Sequence, residues 1–123
     1  MILLDSSAVL CFLLGETGGD TVDGLLSSEE GCSCSAANWC EVAQKFRTRR
    51  QGWMTARSVL LGDGLVVVPV TVDDAETAAR LWRRGTGLSL ADRLCLATAE
   101  RLDAVAWTAD AAWGKSSRVR QIR

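Results

Sequence analysis

The chain has 123 residues, 48% of them apolar, and a net charge of −1 from 14 basic and 15 acidic side chains. That is enough material for one domain with its own core, and the near-neutral balance argues weakly against a nucleic-acid binder. The absence of histidine and tyrosine excludes Ser-His-Asp and Cys-His catalysis, histidine acid–base chemistry and His-ligated zinc, which leaves carboxylates as the leading reactive groups.

Ile2–Leu4 reads as a short strand and Ser6–Leu14 as a helix stopped by Gly15. Asp20–Leu26 has the pattern of a short amphipathic helix interrupted by Gly24, and Cys32–Ser35 fits a second strand. The spacing of Trp39, Ala43, Phe46 and Arg50 predicts a helix over Ala36–Arg50; Cys40 and Val42 widen its apolar stripe and Gly52 closes it. Trp53–Leu61 is a further helix ended by Gly62. The β-branched run in Leu65–Val70, with Pro69 near its end, reads as a buried strand. Asp73–Arg84 is predicted as a helix whose Asp73, Asp74 and Glu76 precede Arg80, Arg83 and Arg84, the order the helix dipole favours. After the loop Gly85-Thr86-Gly87 come a helix over Leu90–Leu102, a strand over Ala104–Thr108, a helical turn at Asp110–Trp113 and an edge strand at Arg118–Ile122. Strands alternating with helices over short connections imply an α/β fold with a mostly parallel sheet in a single domain, 1–123. The ligand site of such a fold lies beyond the carboxyl ends of its strands, where the strand order switches direction.

Cys11, Cys32, Cys34, Cys40 and Cys95 are odd in number, and the Cys32-x-Cys34 pair has no second pair at zinc spacing. They read as reduced, small hydrophobes of a reducing cytosol. Met1–Leu4 lacks a basic region before it, and no apolar run approaches ~20 residues, so the expected location is cytoplasmic, with no membrane contact. The tryptophans Trp39, Trp53, Trp82, Trp107 and Trp113 read as core or dimer contacts rather than base-stacking platforms. Basic residues cluster at Lys45–Arg50, at Arg80, Arg83 and Arg84, and at Arg118–Arg123, a pattern suggestive of a polyanion partner.

Four acidic residues stand where a sheet-edge site would form. Asp5 and Asp110 directly follow predicted strands, and Asp92 lies at the start of the helix leading into the later one. Glu41 lies mid-helix, with Asn38 three residues back on its face. Each has a plain structural reading: Asp5 and Asp110 as helix N-caps, Ser89–Asp92 as a capping box, Glu41 as a surface partner of Lys45. Gathered at one place, four carboxylates cannot all stay ionised without a counter-charge. A hard divalent cation such as Mg2+ or Mn2+, which prefers oxygen ligands, supplies one.

Four segments carry a resemblance over essentially the whole chain: Ile2-Leu3-Leu4-Asp5-Ser6-Ser7; Ser35-Ala36-Ala37-Asn38-Trp39-Cys40-Glu41-Val42; Leu88-Ser89-Leu90-Ala91-Asp92-Arg93-Leu94-Cys95-Leu96-Ala97; and Trp107-Thr108-Ala109-Asp110-Ala111-Ala112-Trp113. In this order they resemble the PIN-domain superfamily, in particular its VapC-type toxins. The resemblance implies a three-layer fold with a parallel sheet between helices, often in a homodimer. It implies that Asp5, Glu41, Asp92 and Asp110 hold one or two Mg2+ or Mn2+ ions, with Ser6 and Thr108 supporting them; within that set we take Asp5 and Asp92 as the direct ligands. The implied activity is metal-dependent hydrolysis of RNA, frequently tRNA, leaving a 5′-phosphate and a 3′-hydroxyl. The implied partner is a small VapB-type antitoxin whose C-terminal tail covers the site. Three alternatives stand beside this reading. They are a PIN nuclease of RNA processing outside any toxin pair, a non-catalytic PIN-like binding module, and phosphoryl transfer through Asp5. The last is weakened because no second Asp stands two residues after Asp5.

Overall fold

The computed structural model describes all 123 residues. Its strands are β1 (Ile2–Leu4), β2 (Cys32–Ser35), β3 (Val66–Val68), β4 (Val105–Thr108) and β5 (Val119–Gln121). Its helices are α1 (Ser6–Leu14), α2 (Gly19–Leu26), α3 (Ala36–Thr48), α4 (Trp53–Gly62), α5 (Val72–Leu81) and α6 (Leu90–Arg101), with a 3-10 turn at Ala111–Trp113. The five strands form one sheet in the order β3-β2-β1-β4-β5, and every pairing is parallel. The chain builds outward from β1 through β2 to β3, then returns to the other side of β1 for β4 and β5. The switch point therefore falls between β1 and β4.

Alternation along β1 produces the layers. Ile2 and Leu4 enter a large core with Val9, Val22, Val42, Phe46 and Leu60, whereas Leu3 faces the other way, onto Cys95, Ala99, Ala104 and Ala106. Helices α1 to α4 supply the first core and α6 the second, which gives the α/β sandwich expected from the sequence. Cys11, Cys32, Cys34 and Cys95 are buried and Cys40 is exposed; none is bonded to another. Gly15 closes α1 in the left-handed region at φ 65°. Gly19 lets α2 lie against α1: a Cβ there would stand 2.7 Å from the Cys11 carbonyl oxygen.

Most element ends lie one to three residues from expectation, and three of the differences have a physical cause. α3 is over before Arg50, which adopts φ 53°, a conformation no helix continues through. α5 ends at Leu81 because Trp82 turns to extended backbone at ψ 129°, so Arg83 and Arg84 lie outside the helix and only Arg80 serves its dipole. β3 is an edge strand of three residues with Val66 exposed, not a buried strand; its apolar run records β-propensity rather than burial on both faces. The five tryptophans also divide. Trp53 is in the core and meets Trp39 edge-on at 5.1 Å; Trp107 and Trp113 are partly buried; Trp82 is 58% exposed.

Candidate active site

The backbone of β1 and β4 runs together to the switch point, where the Asp5 N–H still donates to the Trp107 carbonyl at 3.1 Å. Beyond that bond the side chain of Asp5 is 2% exposed and pairs with no cation. It is a helix N-cap, as its position after a strand suggests, accepting from Ala8 N–H at 2.8 Å. It is also more than a cap. Thr108 Oγ1 donates to Asp5 Oδ2 at 2.6 Å, and Ser7 Oγ to Oδ1 at 2.7 Å. Each hydroxyl accepts in turn from the loop after β4: Asp110 N–H to Thr108 at 3.0 Å, Ala109 N–H to Ser7 at 2.9 Å. Two chains of donors thus run from backbone amides through hydroxyls into one carboxylate, locking the end of β4 to the end of β1.

Burial pushes the Asp5 carboxyl up to about 6; the bonds from Thr108, Ala8 and Ser7 oppose the rise, and the charge of Asp92 adds to it. Asp92 is raised as well, first by burial, against its bonds to Ser89 and with the charges of Glu41 and Asp110 pushing the same way. Asp92 thus couples electrostatically to each of the other three sequence-predicted carboxylates, although they come from β1, α3 and the turn after β4.

Glu41 does not pair with Lys45. Its Oε1 accepts from Ser6 Oγ at 2.8 Å and from Asn38 Nδ2 at 3.0 Å, and Asn38 is itself buried and held by Ser35 Oγ at 2.9 Å. Ser6 and Asn38 thus orient Glu41 toward α1, while Thr108 supports Asp5. Asp92 and Asp110 also fill the capping places the sequence offers. Asp92 Oδ2 accepts from Ser89 N–H at 2.9 Å, and Asp110 Oδ1 from Ala112 N–H at 2.9 Å. Each cap uses one oxygen and leaves the other without a protein donor. Capping and ligation are compatible in such a carboxylate.

The donor set suits a hard divalent ion: four carboxylates, oxygen throughout, no cationic side chain paired to any of them. The spacing is open, because no three acidic side chains come close enough to hold an ion as they stand.

Ser7 was absent from the residues singled out by sequence. The signal was there, a hydroxyl two residues after an N-cap aspartate, but only the approach of Ala109 shows what it joins. A cavity of about 410 Å³ opens beside Ser6 and Glu41, and a second of about 520 Å³ beside Ser7 and Asp110. Lys45 lines both, and Arg49 and Arg123 line the second. The first and third basic clusters therefore converge on the site through these three residues. Arg118 is instead paired with Asp103 at 3.0 Å. No helix is long and apolar enough to cross a membrane.

A family model described as PIN domain matches residues 2–118. None of the curated proteins matches the chain. Among solved structures, the chain is similar to one in a toxin–antitoxin complex from Klebsiella pneumoniae, at 20% identity over 100% of this chain and 98% of that one, with a TM-score of 0.78. It is similar to Mycobacterium tuberculosis VapC20, a sarcin–ricin loop cleaving toxin, at 23% identity over 94% and 97% of the two chains, with a TM-score of 0.72. It is also similar to DNA-bound VapBC from Salmonella typhimurium, at 15% identity over 99% and 98%, with a TM-score of 0.72. At these identities the structures share the fold.

Proposed function

The chain belongs to the PIN-domain family, and from that premise we propose that it is a divalent-metal-dependent endoribonuclease acting as the toxin of a toxin–antitoxin pair. The observation that carries the catalytic part is Asp5, a carboxylate buried at the sheet's switch point with no cation of its own and within electrostatic reach of Asp92, which in turn feels Glu41 and Asp110. The toxin part draws on the fold shared with toxin–antitoxin proteins. The expected antitoxin is a VapB-type protein whose tail enters the same cleft.

Asp5 and Asp92 would be the direct ligands, with Glu41 and Asp110 completing the set. Bound there, Mg2+ or Mn2+ supplies a nucleophilic water near neutral pH and a counter-charge for the scissile phosphate. Ser7, Thr108 and Ala8 direct their donors at Asp5, which offsets part of the cost of burying its charge and fixes the carboxylate in place. Ser6 and Asn38 fix one oxygen of Glu41, leaving the other to orient the attacking water. Lys45, Arg49 and Arg123, together in one cavity, hold phosphates of the strand beside the cut bond; they supply affinity and leave base choice to other groups. Hydrolysis in line leaves a 5′-phosphate and a 3′-hydroxyl.

Cleavage of a labelled RNA by the purified protein, followed with Mg2+ or Mn2+ and in excess EDTA, tests the proposal. Asp5→Asn lowers the rate by at least about 10²-fold while the circular dichroism spectrum stays that of the wild type. Undiminished cleavage in EDTA, or full activity of the folded variant, refutes it.

A further inference from the structure

Trp82 is the one tryptophan of five that stays largely in solvent, at 58% exposure. It sits at the end of α5, where the backbone leaves the helix in an extended conformation, and Arg83 and Arg84 follow it, both exposed. None of the chain's ion pairs or side-chain hydrogen bonds engages either guanidinium or the indole N–H. The segment is nevertheless anchored, because Thr86 Oγ1 donates to the Arg83 carbonyl at 3.3 Å and accepts from Leu88 N–H at 3.3 Å.

The position of this group relative to the carboxylates follows from the way α5 and α6 pack. Asp74, early in α5, meets Thr98 and Arg101 late in α6, while the Ala78 carbonyl accepts from Arg93 near the start of α6. The two helices are therefore antiparallel, and the end of α5 lies beside the first turn of α6, the turn that carries Asp92. Trp82, Arg83 and Arg84 therefore leave the hairpin at the end that carries Asp92, one of the carboxylates of the candidate active site. Lys45, Arg49 and Arg123 flank it from the α1–α3 and β5 side. The end of the α5–α6 hairpin thus offers a cationic group with an aromatic face, whereas the cavity beside Ser7 and Asp110 is lined by cations with no aromatic side chain.

We infer that Trp82, Arg83 and Arg84 form a platform for a single-stranded segment of the RNA substrate, with one unstacked base on the indole and the adjoining phosphates on the guanidinium groups. The inference rests on the nuclease reading of the site and names what that site accepts. An exposed indole next to two unpaired arginines matches the two surfaces of a single strand, whose base faces are open and whose backbone is anionic. A duplex hides its base faces and offers only phosphates. Trp82 is a positioning residue and takes no part in the bond-breaking step.

Steady-state cleavage of a short fluorogenic single-stranded RNA in Mg2+ tests this in the full chain. Trp82→Ala raises KM by about 5- to 100-fold, the effect of deleting one stacking platform, and leaves kcat within about twofold. Trp82→Phe, which keeps an aromatic face, restores most of the loss. Arg83→Gln with Arg84→Gln lowers the slope of log affinity against log salt by about 1.4. A second readout needs no cleavage: in EDTA, the same RNA quenches a part of the tryptophan emission that is missing from Trp82→Phe. An unchanged KM together with unchanged quenching overturns the platform, whatever the fate of the nuclease reading. Wild-type protein that binds this RNA with Trp82-dependent quenching but never cuts it keeps the platform and sinks the nuclease reading. Sedimentation decides the remaining outcome: if Trp82→Ala dissociates a dimer while RNA affinity stays unchanged, the face is one between copies of this chain and the inference fails.

Discussion

The centre of the candidate site is a charge that the rest of the protein does not neutralise. Asp5 is sealed from water and receives hydrogen bonds from two hydroxyls and an amide, but no lysine or arginine. Hydrogen bonds soften the cost of such a burial and do not remove it. Asp5→Asn should therefore stabilise the metal-free fold, because the amide oxygen keeps the Ala8 cap and the charge disappears, which outweighs the Thr108 bond that the amide nitrogen cannot accept. The expected gain is about 1–3 kcal/mol, read as a higher midpoint of thermal unfolding in EDTA, in a variant that no longer cuts RNA. A variant less stable than the wild type in EDTA would mean that Asp5 is held for the fold's sake. Sequence alone could place Asp5 and its capping role, because both are local. It could not choose between capping and ligation at Asp92 and Asp110, because an N-cap and a ligand carry the same side chain at the same place and differ only in what stands across the cleft. For Glu41 the local reading fails outright: Ser6, 35 residues away, outcompetes Lys45 for its carboxylate.

Between elements, the α5–α6 hairpin is fastened by a second buried aspartate with the opposite electrostatics. Asp74 is 1% exposed, caps α5 with Thr71, and takes Arg101 Nε at 2.8 Å and Nη2 at 3.0 Å. Burial raises its pKa, but Arg101 and Thr71 together outweigh that and hold it below the usual carboxylate value of 3.8. A carboxyl depressed in the folded state contributes stability that is fully present above its unfolded value and lost as pH falls through the folded one. The hairpin should therefore loosen only below about pH 4. Asp74→Asn should cost about 1–3 kcal/mol at pH 7, since it strands Arg101 on a half-covered face, and should flatten the acid limb of the stability curve. Urea denaturation across pH measures both; a variant whose midpoint matches wild type at pH 7 would show the pair to be idle. The same hairpin carries Trp82 and Asp92 to one end, so its rigidity bears on the site. Its sequence signature was legible as two acidic helix starts, but the partner of Asp74 lies 27 residues on and had no local mark.

At the scale of the whole molecule, the parallel sheet brings Asp5, Glu41 and Asp110, distant in the chain, within electrostatic reach of Asp92. Such a group should couple metal binding to folding, because the ion binds only when the elements are assembled. Mn2+ at a hundredfold excess over Kd should stabilise the wild type by about 2.7 kcal/mol, about 10 °C at this chain length, and Asp5→Asn by far less. Differential scanning calorimetry with and without Mn2+ decides it, and equal midpoints would remove the metal from the account. The sequence by itself determined the alternation of strands and helices, the caps, the class of fold and the shortlist of oxygen donors. These are properties of spacing and side-chain type that hold whatever the chain packs against. Only the tertiary structure decided that β3 is an edge, that α5 releases Trp82 and its arginines at Asp92's end of α6, and that Ser7 and Thr108 tie β4 to Asp5. It also set which cations line the cleft. Each of these depends on contacts between residues tens of positions apart, and a periodic pattern read along the chain carries no record of them.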